Sequence, residues 1–148
     1  MNRATIRKRI ADGLIADLKV DGTVAEVYAY RKGGLSGQSP VLLVLSGNID
    51  RTIAGVGQQT YENAISIEIH ALVYDGDESN PLTEEQRDDR MDLIETRIAS
   101  WVAAHQIDIS YYRALSYATP TERADVTFAG GGPYQLEIVT LRAEAPDR

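Results

Sequence analysis

Residues 61–74, Tyr61-Glu62-Asn63-Ala64-Ile65-Ser66-Ile67-Glu68-Ile69-His70-Ala71-Leu72-Val73-Tyr74, decide the fold. From Asn63 to Tyr74, Ile65, Ile67, Ile69, Ala71 and Val73 alternate with Ser66, Glu68 and His70 at a period of two, the signature of a strand that buries one face. Working outward, Asp75 to Pro81 reads as a turn, after which Thr83-Glu84-Glu85-Gln86 matches a capping box. A helix is expected from about Thr83 to Gln106. Its core face is Met91, Ile94, Ile98, Trp101, Val102 and His105, and Glu84, Glu85, Asp88 and Asp89 occupy the first turns, where the helix dipole favours negative charge. Trp101 is therefore expected in the core.

Beyond that helix, Tyr111 to Ala118 reads as a strand, Thr119 to Asp125 as a turn region and Val126 to Ala129 as a short extended piece. The run Gly130-Gly131-Gly132-Pro133 reads as a turn, since three glycines tolerate positive φ and proline cannot donate to a ladder. A last strand runs from Tyr134 to Arg142, with Leu136 and Ile138 alternating against Glu137 and Val139, and Ala143 to Arg148 is expected to fray.

In the other direction, Val41 to Leu45 is continuously apolar, as in a strand covered on both faces. Gly47 to Gln59 is a polar, glycine-punctuated connection, either an extended hairpin or a loose loop, and Arg31 to Pro40 is a glycine- and serine-rich flexible connection. Thr23 to Arg31 reads as a strand. Ile6, Ile10, Ala11, Leu14, Ile15 and Leu18 set a helix from about Ala4 to Lys19, stopped by Asp21-Gly22. The order α-β-β-β-α-β-β gives an α+β class: one mixed or antiparallel sheet of four to five strands with two helices packed on it, in a single domain over residues 1–148.

The composition narrows the function classes. At 43% hydrophobic and 25% charged the chain should fold, and a net charge of −7 disfavours a surface that grips nucleic acid. The absence of cysteine excludes disulfides and thiolate metal sites. No apolar run approaches a membrane span, and Met1 to Arg9 lead into an amphipathic pattern rather than a signal peptide, so a soluble protein made in the cytoplasm is expected.

Chemical readings of individual residues are weak. His70 and His105 have no second histidine at ligand spacing, and His70 falls on the polar phase of its strand, as a surface or interface histidine would. The run Asp75, Asp77, Glu78, Asn80 opens like a calcium loop. It fails where glycine is needed and again at Gln86, where a closing glutamate belongs. The acidic start of the second helix reads as a solvated face, and the triple glycine is not followed by a helix that could cradle phosphate. No catalytic residue, metal ligand or cofactor site emerges, and no enzymatic activity is expected.

Surfaces are more informative. Arg3, Arg7, Lys8 and Arg9 oppose the helix dipole, so either they form a solvated end or something rewards them. Subtracting those four charges from −7 leaves −11 on the rest, an electrically two-sided molecule. These four residues, with Arg31, Lys32, Asp50 and Arg51 on the two polar connections, form the candidate interaction set.

The succession of Tyr61-Glu62-Asn63-Ala64-Ile65-Ser66-Ile67-Glu68-Ile69, Arg90-Met91-Asp92-Leu93-Ile94-Glu95-Thr96-Arg97-Ile98 and Gly131-Gly132-Pro133-Tyr134-Gln135-Leu136-Glu137-Ile138 resembles the tail terminator (tail completion, or minor tail) proteins of long-tailed bacteriophages. The resemblance spans most of the chain in element order, on loose motifs. It implies a virion protein, a structural ring, usually hexameric, that caps the tail tube and meets the head connector, with genomic DNA passing through the lumen without specific binding. An acidic ring would repel phosphate, consistent with such a lumen. The alternatives are another neck component, such as a head–tail adaptor or head-completion protein, a small α+β enzyme or ligand-binding domain, and a toxin-like or regulatory binding module.

Overall fold

The computed structural model describes residues 2–53, 61–77, 80–128 and 132–146. The elements run α1 (Arg3–Leu14), a π-helical turn (Ile15–Lys19), β1 (Glu26–Tyr28), β2 (Val41–Ile53), β3 (Tyr61–Tyr74), the two-residue strands β4 (Gly76–Asp77) and β5 (Asn80–Pro81), α2 (Glu84–Ala104), β6 (Ala114–Tyr117), β7 (Glu122–Phe128) and β8 (Gly132–Pro146). This is an α+β fold with one mixed sheet. Its order is β1-β2-β3-β8-β6, with β7 also on β8, so the main sheet has six strands rather than four to five.

Both helices form close to where the sequence places them, but α1 ends at Leu14 and runs on as the π-helical turn instead of continuing as α-helix to Lys19, and His105, expected on the core face of α2, is its half-buried C-cap. Thr83 caps α2 through its hydroxyl while the Gln86 side chain returns to the Thr83 amide, a complete capping box. Met91, Ile94, Ile98, Trp101 and Val102 are the buried face of α2, and Ile6, Ile10, Ala11, Gly13 and Leu14 that of α1. Asn2 caps α1 by accepting from the Thr5 amide. Helix and sheet meet over Ile65, Ile67, Ile69, Ala71 and Val73 of β3, together with Leu42, Val44, Val139, Leu141, Ala143 and Ala145.

The sheet has a second, smaller apolar cluster on its opposite face, made of Leu35, Val41, Leu43, Leu45, Leu72 and Tyr134. Val41 to Leu45 is thus buried on both sides, as its unbroken apolar run requires. β1 pairs with β2 in parallel, so the chain must cross over between them, and residues 29–40 make that crossing on the second face. The glycine-rich stretch read as a flexible connection is accordingly pinned: Leu35 is 1% exposed, the Tyr134 hydroxyl donates to the Gln38 carbonyl, and the Ser39 hydroxyl accepts from the Tyr74 amide.

Several boundaries differ from the sequence reading. The strand expected over Thr23 to Arg31 is only Glu26–Tyr28, because Asp21 turns the chain through Thr23 and the crossing starts soon after. Of Gly47 to Gln59, the part to Ile53 continues β2 beyond a bulge and pairs with β3, as the extended-hairpin alternative has it, while residues 54–59 lie outside the described residues. The strand expected over Tyr111 to Ala118 is Ala114–Tyr117. Thr119 to Asp125 is not simply a turn, since β7 already begins at Glu122 and follows the line of β6 along β8. Of the glycine turn, Gly130 and Gly131 lie outside the described residues, and Gly132, at φ +81°, already opens β8.

The C-terminal residues 143–146 pair with β3 instead of fraying, and Ala143 and Ala145 are fully buried. The phase of β8 is also the reverse of a simple Leu136/Ile138 core. Val139 and Leu141 face the helices, and they carry Glu137 to that face with them.

Candidate interaction surface

The bulge in β2 organises the polar end of the molecule. Ser46 pairs with Ile67 and Ile49 with Ile65, so two residues, Gly47 and Asn48, stand opposite Ser66 alone. Gly47 fits because a Cβ there would come within 3.0 Å of the Ser66 Cβ. The extra residue resets the alternation, keeping Ile49 on the helix face and sending Asp50 and Thr52 to the second face beside Ala64 and Glu62. That end of the second face is polar, with Asp50, Thr52, Glu62, Arg113, Arg142 and Glu144 around a shallow cleft of about 110 Å³. Arg113 bridges Glu62 at 3.1 Å and Glu144 at 3.8 Å, and Arg142 meets Glu144 at 3.4 Å.

The basic start of α1 is rewarded within the chain. Arg3 donates to the Gly47 carbonyl at 2.8 Å and Arg7 to the Ser46 hydroxyl at 3.1 Å, so both clamp the helix onto the bulge. Arg9 pairs with Asp108 at 3.0 Å and lies over the Tyr111 ring. Lys8 is exposed. Lys32 lies over the Tyr28 ring, 4.5 Å from its centroid, while Arg31, Asp50 and Arg51 are exposed. The eight residues are therefore not one patch. Arg3, Arg7, Asp50 and Arg51 gather on and after the bulge of β2, Arg9 reaches from α1 to Asp108 in the α2–β6 loop, and Arg31 and Lys32 lie on the crossing segment.

Two ionic clusters were not foreseen. Arg97 on α2 holds the turn after the π-helical segment, pairing with Asp21 and with Asp17 at 3.2 Å. Hydrogen bonds from the Thr23 hydroxyl and amide, helped by Arg97, pull the Asp21 carboxyl down to about 2. On the other side, Arg123 of β7 reaches Glu137 at 3.1 Å, Asp92 at 2.9 Å and Asp88 at 3.3 Å, tying β7 and β8 to α2. Burial pushes the Glu137 carboxyl up, against the pull of Arg123. Sequence patterning had no means of finding either cluster, because each joins residues from elements far apart in the chain.

The two histidines have local roles. His105 stacks on Trp101 with ring centroids 4.4 Å apart, and its Nδ1 is 2.8 Å from the Trp101 carbonyl oxygen. His70 is half-buried on the second face, 3.4 Å from Glu68. Among the described residues no group of three or more His, Asp or Glu stands where it could hold a metal ion. Of the calcium-like run, Glu78 lies outside the described residues, and Asp75 pairs with Arg87 at 3.4 Å. A cleft of about 510 Å³ between α1 and α2 is bordered by Gly13, Arg97, Trp101 and His105, and one of about 440 Å³ at the start of α2 by Asp75, Glu84, Asp88 and Asp125. No described helix is long and apolar enough to cross a membrane. No family model matches the sequence, and no curated protein matches it closely enough to count as a relative.

Proposed function

We propose that this chain is a structural subunit of a phage tail-terminator ring, which caps the tail tube, meets the head connector and lets DNA pass through its lumen. The observation that carries the reading furthest is the unequal covering of the sheet. Among the described residues, helices cover one face, whereas the crossing segment covers only one end of the other and leaves a charged end around Asp50, Arg113, Arg142 and Glu144 open. A sheet built this way offers a broad polar surface to a neighbour. The net charge of −7, repeated around a ring, produces a field that repels DNA phosphates instead of holding them. The resemblance in element order points the same way, and a head–tail adaptor or head-completion protein shares these features.

The solution mass tests the assembly. Purified protein, alone and mixed with tail-tube protein, should form closed rings visible by electron microscopy and should bind the tube end. Light scattering that gives an unchanging monomer or dimer under both conditions overturns the reading. Rings that bind a portal or connector but never the tube reassign the chain to another neck position.

A further inference from the structure

The main sheet ends in two unpaired strand edges on opposite sides. β1 covers β2 only at Val41, Leu42 and Leu43, and Arg3 and Arg7 hold Ser46 and Gly47. From Asn48 to Ile53 the outer edge of β2 has no strand beside it among the described residues. On the far side, β6 is closed off by the Leu115 amide, which donates to the Gln106 carbonyl. Among the described residues β7 has no such cover. Its whole length from Glu122 to Phe128 pairs there only with β8, and Glu122 to Asp125 are exposed. Two bare edges of six and seven residues are a template for pairing with another chain.

Strand direction and charge both identify that chain. β2 is antiparallel to β3, β3 to β8 and β8 to β7, so β7 runs opposite to β2 within one molecule. A second copy in the same orientation therefore brings its β7 antiparallel to the first copy's β2, and the sheet continues without inversion. Ile49 and Arg51 lie on the helix face of β2, opposite Ile65 and Asn63. Arg123 and Asp125 lie on that same face of β7, opposite Glu137 and Gln135. Arg51 and Asp125 are both exposed, and neither has an ion-pair partner among the described residues. Setting Arg51 against Asp125 puts opposite charges directly across the new ladder and Thr127 against Ile49.

We infer that copies of this chain join head to tail by pairing Asn48–Ile53 of one with β7 of the next, with Arg51 opposite the neighbour's Asp125. This rests on the ring reading and names its contact. The two edges are at different heights. Arg51 is level with Ala145 of β8 through Asn63, whereas Asp125 is level with Gln135, ten residues along the same strand. At about 3.3 Å per residue the neighbour is staggered by roughly 33 Å. The stagger carries it clear of β1. A ring closes with such a step when its strands are inclined to the ring axis, as in a barrel.

Charge reversal tests the contact apart from the ring. Arg51→Asp and Asp125→Arg alone each place like charges across every junction and should weaken self-association by about two- to five-fold per contact, with unchanged melting. Mixing the two variants should restore it, because every junction between one variant and the other again sets a carboxylate against a guanidinium. The double variant should also associate like the parent. Single variants that associate normally, or a mixture no better than either alone, overturn the edge contact while leaving the ring reading intact. Failure of the parent itself to associate removes both.

Discussion

At the residue scale the tightest constraint is the contact between Gly13 and Trp101. A Cβ at Gly13 would stand 2.3 Å from Trp101 Cζ2, so the two helices approach this closely only because position 13 has no side chain. Gly13→Ala gains about 0.5–1 kcal/mol of helix propensity but overpacks a rigid indole at about 1–3 kcal/mol, so a net loss of stability is expected in a denaturant melt. Trp101→Ala should cost more, about 3–5 kcal/mol, since the residue is 3% exposed. A Trp101→Ala protein that melts like the parent but fails to assemble would move the residue from core to interface. Glu137 gives a pH prediction. Its carboxyl titrates above the ordinary 4.5 because it is buried, so the folded state holds that proton more tightly than the unfolded state. The associated stability is complete below 4.5 and is lost as pH rises through the folded value. Arg123 is 43% exposed and keeps Asp88 and Asp92, so Glu137→Gln does not strand it. The variant should match or exceed the parent's melting temperature at pH 7 and lose that advantage in acid. A clear loss at pH 7 would mean that the Arg123 pairing outweighs burial.

At the element scale, what was legible in the sequence is what local chemistry fixes. The alternation of β3, the capping box at Thr83 and the two apolar helix faces need only near neighbours, and all three formed as read. What escaped was set by distant partners. Glu122 to Asp125 of β7 are exposed and carry little apolar signal, and they are strand because β8 supplies the ladder. Ala143 and Ala145, in a tail with little apolar signal of its own, are buried because β3 is long enough to pair with them. Glu137 sits under the helices because the phase of β8 is dictated by Val139 and Leu141. The bulge belongs to this group as well, since a glycine at position 47 marks an extended hairpin and a loop equally well until Ser66 is known to lie opposite it. It also changes the expectation for the basic helix start. Arg7 is bonded to Ser46, so Arg7→Glu removes that clamp and should lower the melting temperature, even though negative charge at a helix start is worth about 0.3–1 kcal/mol. An Arg7→Glu protein as stable as the parent would show that the clamp contributes nothing.

At the scale of the whole molecule, the basic set divides into charges used inside the chain and charges left for partners. Arg3, Arg7 and Arg9 are used inside, whereas Lys8 is exposed on the same helix with no partner among the described residues. In a chain of net charge −7 it is a candidate contact with a neighbour's carboxylates, separate from the Arg51 edge. Lys8→Glu touches no internal bond and places negative charge in the first turns of α1, so the fold should be unchanged or slightly steadier. Assembly should weaken. Raising salt from about 0.1 M to about 1 M shortens the screening length from about 10 Å to about 3 Å, so it should weaken parent rings in the same sense and affect Lys8→Glu less. Analytical ultracentrifugation of both proteins across that salt range decides the point. If Lys8→Glu assembles like the parent and loses as much affinity to salt, Lys8 is a solvated residue, and the salt-sensitive contact lies elsewhere, with the Arg51 edge the first place to look.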